Sequence, residues 1–310
     1  MEDWLSLTIA APPVAGEAVG AALFEAGDSG IWEDLPDSEG RLIYRAGFPL
    51  GQESRLMAEI PAALTLIAEN LAIQLTEFAV ILEIKPWEDF SETWKKGLSP
   101  FAIGQKLWIV PSWSEEPVKA GPGAKVLRID PGPAFGSGRH PSTFLCLTLI
   151  HDLAGQAAPA RVLDLGAGSG VLALAASLLF PAAKVEGLDN DRDTLAVAEG
   201  NRKANGLEEG QVAFSDAPLS RLNPGYDLIV ANLTLNALTE LAPEIQALLA
   251  PEGQLIVSGL LAEQVPAIEA VFKGLGLGVL RHLGQAEWSA LLLSPKGSGA
   301  DRALIGEPEA

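Results

Sequence analysis

Cysteine is almost missing from these 310 residues. Cys146 stands alone, so no disulfide can form within the chain, and the expected setting is a reducing interior. A lone cysteine of this kind reads first as a small buried apolar residue. Basic residues are scarce as well, 21 against 40 acids, giving a net charge of −19. Such a surface repels naked nucleic acid and anionic lipid, so binding to either is not expected. It suits a small neutral or cationic ligand, or a basic protein partner. Long apolar runs are also absent. The longest, Val171 to Phe180, is closed by Pro181, short of the ~18 to 20 residues a spanning helix needs. The opening "MEDWLSLTIA" carries no basic signal-peptide region. A cytoplasmic protein is expected, with no metal site and no internal repeat. What remains is a globular composition, 48% hydrophobic, and length enough for two domains.

The first 84 residues divide into six pieces. "WLSLTI" reads as a strand and "AGEAVGAALFEAG" as an amphipathic helix closed by glycine. "GIWED" and "RLIYRAG" read as strands around the turn "PDSEG". "ESRLMAEIPAALTLIAENLA" is helical despite Pro61, and "FAVILEI" is a fourth strand. The order β-α-β-β-α-β predicts a small α+β ferredoxin-like domain over residues 1–84. It holds no cluster of chemical residues and reads as a binding module. Residues 85–120 read as a linker with four of the seven tryptophans; Trp87, Phe90 and Trp94 lie at helical spacing. From Arg161 strands and helices alternate, and the last two strands, "GLGVLRHLG" and "WSALLLS", are joined by a short turn. That predicts a doubly wound α/β, Rossmann-like sheet over residues 121–295, ending in an antiparallel hairpin. Residues 296–310 read as a disordered tail.

The strongest chemical signal is "VLDLGAGSGVLALAA". A strand runs into Gly166, Gly168 and Gly170, and a helix follows. Glycines there let the backbone turn tightly and approach a ligand. Asp189, 21 positions beyond Gly168, ends the next strand, where an acid takes the hydroxyls of a ribose. A dinucleotide and S-adenosylmethionine both fit this pattern. The spacing D-x-G-x-G-x-G and the acid Asp164 favour the second, because a diphosphate prefers a helix N-terminus without a carboxylate nearby. An ammonium and a sulfonium tolerate one. Asp216, ending "QVAFSD", is a candidate for the adenine amino group. Asn232, ending "YDLIVAN", lies at the carboxyl end of its strand, where ligands of such sheets sit. Its amide can accept a hydrogen bond from an amine and aim the lone pair at a methyl group. It can equally be only a cap on the following helix.

With these segments assembled the chain resembles the bacterial ribosomal protein L-eleven methyltransferases, the PrmA family. The likeness is most specific in "DPGPAFGSGRHPST", and extends to "VLDLGAGSGVLALAA", "GLDNDRDTLAVAEGNRKANG", "DLIVANL" and "EWSALLL". The resemblance implies the seven-stranded methyltransferase sheet and S-adenosylmethionine as cofactor. It implies methylation of lysine side chains and the N-terminal amine of one basic ribosomal protein held by the N-terminal domain. By the same resemblance Thr143, Gly166, Asp189 and Asn232 contact the cofactor, and Phe135, Gly136, Gly138 and His140 form a loop over it near the incoming amine. Ser137 and Ser142 stand where the family usually has threonine, and "NLTLNAL" departs from its commoner N-I-L-x-x-P-L. Transfer is expected to be direct, with no obligatory base; His140 is either such a base or a packing residue of its loop. Alternatives are an enzyme acting on another protein's lysine or glutamine or on a small amine, a non-catalytic scaffold, and a nucleic-acid methyltransferase, against which the charge weighs. A monomer is expected.

Overall fold

A computed structural model of the chain describes residues 4–26, 31–34, 37, 40–85, 99–130, 138–155 and 158–295. Phe135, Gly136, Ser137, the tryptophan-rich stretch from Trp87 to Trp94 and the tail 296–310 lie outside the described residues. The chain divides into two compact units between Leu98 and Ser99.

The first unit has strands β1 (Trp4–Ala11), β2 (Ile31–Asp34), β3 (Leu42–Pro49) and β4 (Ala79–Lys85), with helices α1 (Gly16–Glu25) and α2 (Glu53–Leu71). The strand order is β2-β3-β1-β4, and every pairing is antiparallel. This is the ferredoxin-like arrangement that the β-α-β-β-α-β order predicts. Strand alternation sends Leu5, Leu7 and Ile9 of β1 into one core with Val19 and Leu23 of α1 and Leu56, Ile60 and Leu64 of α2. Pro61 sits inside α2, one turn before the Thr65 hydroxyl that donates to its carbonyl at 2.8 Å.

The second unit opens with three short strands, β5 (Phe101–Ile103), β6 (Leu107–Pro111) and β7 (Lys125–Ile129), in one small sheet. Ile103, Leu107, Ile109, Leu127 and Ile129 are buried in the core of this unit. The expected linker 85–120 is therefore corrected: residues 99–120 belong to the second unit, because their apolar side chains have helices of that unit to pack against. Those helices are α3 (Pro141–Leu153) and α4 (Val171–Leu179). The helix α3 packs on β5 and also on the large sheet, and so fills the space between the two sheets.

The large sheet contains β8 (Arg161–Leu165), β9 (Lys184–Leu188), β10 (Val212–Ser215), β11 (Tyr226–Asn232), β12 (Leu249–Leu261), β13 (Leu277–Gln285) and β14 (Trp288–Pro295). Their order is β10-β9-β8-β11-β12-β14-β13. The first five are parallel, and β14 inserts antiparallel between β12 and β13. One face, with Val162, Val185, Leu228, Val230 and Ile256, packs against α3 and α4. The other face, with Leu163, Leu165, Ile229, Ala231 and Val257, packs against α6 (Leu235–Leu248) and α7 (Val265–Gly274). A fifth helix, α5 (Arg192–Ala204), follows β9. Among the described residues no helix is long and apolar enough to cross a membrane.

Candidate active site

The alternation of β8 and β11 decides which polar residues meet. Leu163 and Leu165 face α6, so Asp164 between them faces α3 and α4. Ile229 and Ala231 face α6, so Asn232, one residue on, turns to the same side as Asp164. Both strands end at the carboxyl edge of the sheet, where β8 runs into the glycine loop. Strand order reverses there, between β8 and β11, which is where such sheets bind ligands.

Gly166, Gly168 and Gly170 all have positive φ, at 73°, 55° and 81°. A side chain at Gly166 would also collide with Leu233, whose Cδ2 lies 2.6 Å from where a Cβ would sit. The Gly166 and Ala167 amides both donate to the Leu188 carbonyl at 2.9 Å, and Gly170 is the N-cap of α4. Asp189 holds the loop from the neighbouring strand end. Its Oδ2 accepts the Gly168 amide at 2.9 Å and its Oδ1 accepts the Asp191 amide at 3.1 Å. A carboxylate has about four lone-pair sites, so Asp189 retains acceptors for hydroxyl donors while it fixes Gly168.

Asp164 is completely buried. Its Oδ2 accepts the Ala173 amide of α4 at 2.9 Å, while its Oδ1 has no hydrogen-bond partner among the described residues. Burial pushes its carboxyl up to about 7; the Ala173 hydrogen bond lowers it and the nearby Asp189 raises it. A buried carboxylate with an unpaired oxygen beside a glycine cradle is the chemistry that a cationic ligand completes. The residues present therefore fit S-adenosylmethionine, with its ammonium and sulfonium, and fit a diphosphate poorly.

Thr143 and Asn232, 89 positions apart, meet: the Asn232 Nδ2 donates to the Thr143 hydroxyl at 3.2 Å. Thr143 is buried in the first turn of α3. With its donor end on Thr143, the amide presents the Asn232 Oδ1 as an acceptor. A bulge in β12 shapes the far side of this amide. Gly259 has φ 81°, and a Cβ there would stand 2.5 Å from the Leu233 carbonyl oxygen and 3.1 Å from the Asn232 Oδ1.

His140 is the N-cap of α3 and Pro141 its first residue, a favourable opening for a helix. The Ser142 amide donates to the His140 Nδ1 at 3.3 Å, so the neutral ring carries its proton on Nε2. The ring meets Trp288 edge-on, with centroids 4.7 Å apart. Burial holds its pKa below the usual imidazole value, against an opposing pull from Glu287. Arg139, the next-door cation, donates from Nη2 to the Ser99 hydroxyl at 3.0 Å and to the Ser99 carbonyl, and lies over the Phe101 ring at 5.1 Å. It fastens its loop to the start of the small sheet. Gly138 (φ 84°) packs there too, against Phe101 and Ile109.

Asp216 carries an ion pair: its Oδ2 receives the Arg192 Nε and Nη2, both at 3.1 Å. This partner was not legible in "QVAFSD", since Arg192 comes from the start of α5. Among the described residues no group of three His, Cys, Asp or Glu side chains is placed to hold a metal ion.

A mostly parallel sheet of this order, with a glycine loop, the acid Asp189 at the end of the next strand and an asparagine at the reversal point, fits an S-adenosylmethionine-dependent methyltransferase. Comparison with known proteins is more particular. The family model "Ribosomal protein L11 methyltransferase (PrmA)" matches residues 3–296. The ribosomal protein L11 methyltransferase of Myxococcus xanthus (strain DK1622) is 34% identical over 93% of this chain and 97% of its own. That of Syntrophotalea carbinolica (strain DSM 2380 / NBRC 103641 / GraBd1) is 36% identical over 94% and 97%. The crystal structure of ribosomal protein L11 methylase from Lactobacillus delbrueckii subsp. bulgaricus aligns with TM-score 0.58 and 30% identity, covering 64% of this chain and all of that one. The chain belongs to the ribosomal protein L11 methyltransferase family.

Proposed function

We propose that this chain transfers methyl groups from S-adenosylmethionine to amines of ribosomal protein L11, chiefly lysine side chains and the N-terminal amine. The observation that carries the reading is the Thr143–Asn232 contact beside the loop that Asp189 holds. It supports a reading in which the Asn232 amide oxygen, at the carboxyl edge of the sheet, meets the incoming acceptor beside the cofactor. The relatives' names supply the acceptor, and a protein with net charge −19 suits a basic one. The cytoplasm, where ribosomal proteins are made, is the compartment this implies. The first unit, which carries no cluster of metal-ligating side chains among its described residues, is the part we assign to holding the protein substrate.

S-adenosylmethionine supplies the activated methyl group. The chain's own work is to bind and orient. Asp189 takes ribose hydroxyls, and Asp164 provides the countercharge for a cation. The Asn232 Oδ1 accepts a hydrogen bond from the acceptor nitrogen and turns its lone pair toward the methyl. A lysine, with an ordinary pKa of about 10.4, must arrive neutral. Desolvation beside a cation lowers that value and removes the need for a strong base. His140 serves as cap and packing residue, since its Nδ1 is occupied by Ser142 and its ring by Trp288.

Calorimetric titration with S-adenosylmethionine tests the site. Asp189→Ala should weaken binding about 10- to 100-fold, the range for losing charge-assisted hydrogen bonds. Unchanged affinity would sink the assignment.

A further inference from the structure

The helix α5 presents Asn201, and its C-cap Asn205 one turn later, to the outer edge of β7. In a strand, alternate residues turn both backbone groups to the same edge. Ile129 turns inward, where its carbonyl accepts the Ser112 amide at 2.9 Å. Arg128 and Asp130 therefore face out, and the two asparagines pair with them as a neighbouring strand would. The Asn205 Oδ1 accepts the Arg128 amide at 2.8 Å, and its Nδ2 donates to the Arg128 carbonyl at 2.6 Å. The Asn201 Oδ1 accepts the Asp130 amide at 2.8 Å, and its Nδ2 donates to the Asp130 carbonyl at 2.8 Å. The geometry permits this because four residues of helix advance about 6.0 Å and two residues of strand about 6.6 Å.

The two amides differ in one respect. The Asn201 Nδ2 also donates to the Ser169 carbonyl, at 2.9 Å and fully buried. Ser169 lies inside the glycine loop, between Gly168 and Gly170. Asn205 spends its second donor on the Asn201 carbonyl of its own helix, at 2.8 Å. Both hydrogens of the buried Asn201 amide are thus committed, one to the β7 edge and one to the glycine loop.

We propose that Asn201 is a positioning residue for the cofactor site, holding the glycine loop in register through Ser169 from a fixed point on β7. The proposal deepens the reading given above and rests on it. Loss of the amide removes its hydrogen bond to the Ser169 carbonyl, between Gly168 and Gly170, and so loosens the spacing of the loop. Asn205 gives an internal control: it makes the same edge contact and does not reach the loop.

The test compares Asn201→Ala, Asn201→Ser and Asn205→Ala in the full chain, by calorimetry with S-adenosylmethionine and by steady-state kinetics. All should lower Tm. The Asn201 variants should weaken cofactor binding about 10- to 100-fold, the range for residues that orient binding groups, with the loss in cofactor KM more than in kcat. Asn205→Ala should bind within ~3-fold of the parent, the scale of an unrelated packing change. Asn201→Ser keeps a small hydroxyl in place and serves if alanine prevents folding. Binding within ~3-fold in the folded Asn201 variants, or an equal loss in Asn205→Ala, overturns the proposal. The Asp189→Ala titration separates the two failures. If Asp189→Ala weakens binding and the Asn201 variants do not, only this inference falls; if Asp189→Ala also binds normally, the site reading falls with it.

Discussion

Asn232→Ala should lower the single-turnover rate of methyl transfer by about 10²- to 10³-fold at saturating cofactor, the loss expected when an orienting hydrogen bond at the reacting centre is removed. Cofactor affinity should change far less, because the Asp189 and glycine-loop contacts stay in place. The reason lies in how the amide is held. Thr143 takes its donor end, and the bulge at Gly259 leaves room for its acceptor end. An amide already held at its donor end has less entropy to lose when it meets the acceptor nitrogen. Rapid-quench kinetics measures the rate and calorimetry the affinity. A rate within ~3-fold of the parent would show that the amide does not orient the acceptor.

Asp164→Asn should have opposite effects on the apo protein and on cofactor binding. The folded carboxyl titrates at about 7, against an ordinary value of 3.8. Between these values the unfolded chain binds fewer protons than the folded one, so stability falls as pH rises through that window. The cost is complete above about 7 and absent below the unfolded value. Asparagine removes it. Relative to the parent, the variant should gain about 2.5 kcal/mol in unfolding free energy between pH 5 and pH 8. Urea unfolding at the two pH values measures this difference, and a constant difference contradicts the buried, raised carboxyl. Binding should respond in the other sense. A cation favours ionised Asp164, so the parent's affinity for S-adenosylmethionine should strengthen as pH rises toward 7, and the variant should lose both that dependence and much of its affinity.

Much of this was legible in the sequence because it is local. The glycine loop, its flanking strand and helix, and Asp189 lie within one β-α-β stretch, and their chemistry is written in their spacing. The β-α-β-β-α-β order of the first unit was legible for the same reason. What was not legible depends on residues distant in the chain. Thr143 and Asn232 were each singled out, but their contact spans 89 positions and needs α3 placed over β11. Asp164 was seen as an acid, but its raised pKa arises from burial beneath a helix that supplies only one hydrogen bond. Residues 99–120 looked like a connector because β5 and β6 are short; the helices that bury them begin at Pro141 and Val171. For Asn201 the sequence carries only a faint signal, its i, i+4 spacing with Asn205 shortly after the acid Asp189. Gly259 gave none, because its importance lies in what a Cβ would strike. His140, which the sequence leaves as either base or packing residue, is committed to Ser142 and Trp288, and its neighbour Arg139 to Ser99 and Phe101.

By the function proposed above, this chain methylates a ribosomal protein. Incubating it with labelled S-adenosylmethionine and methyl-deficient ribosomes or lysate, then separating the components, tests that most directly. Label is expected on ribosomal protein L11, at lysine or N-terminal amines, and should be lost with Asn232→Ala. Label on another protein, on RNA or on a small amine, or no label at all, would contradict it.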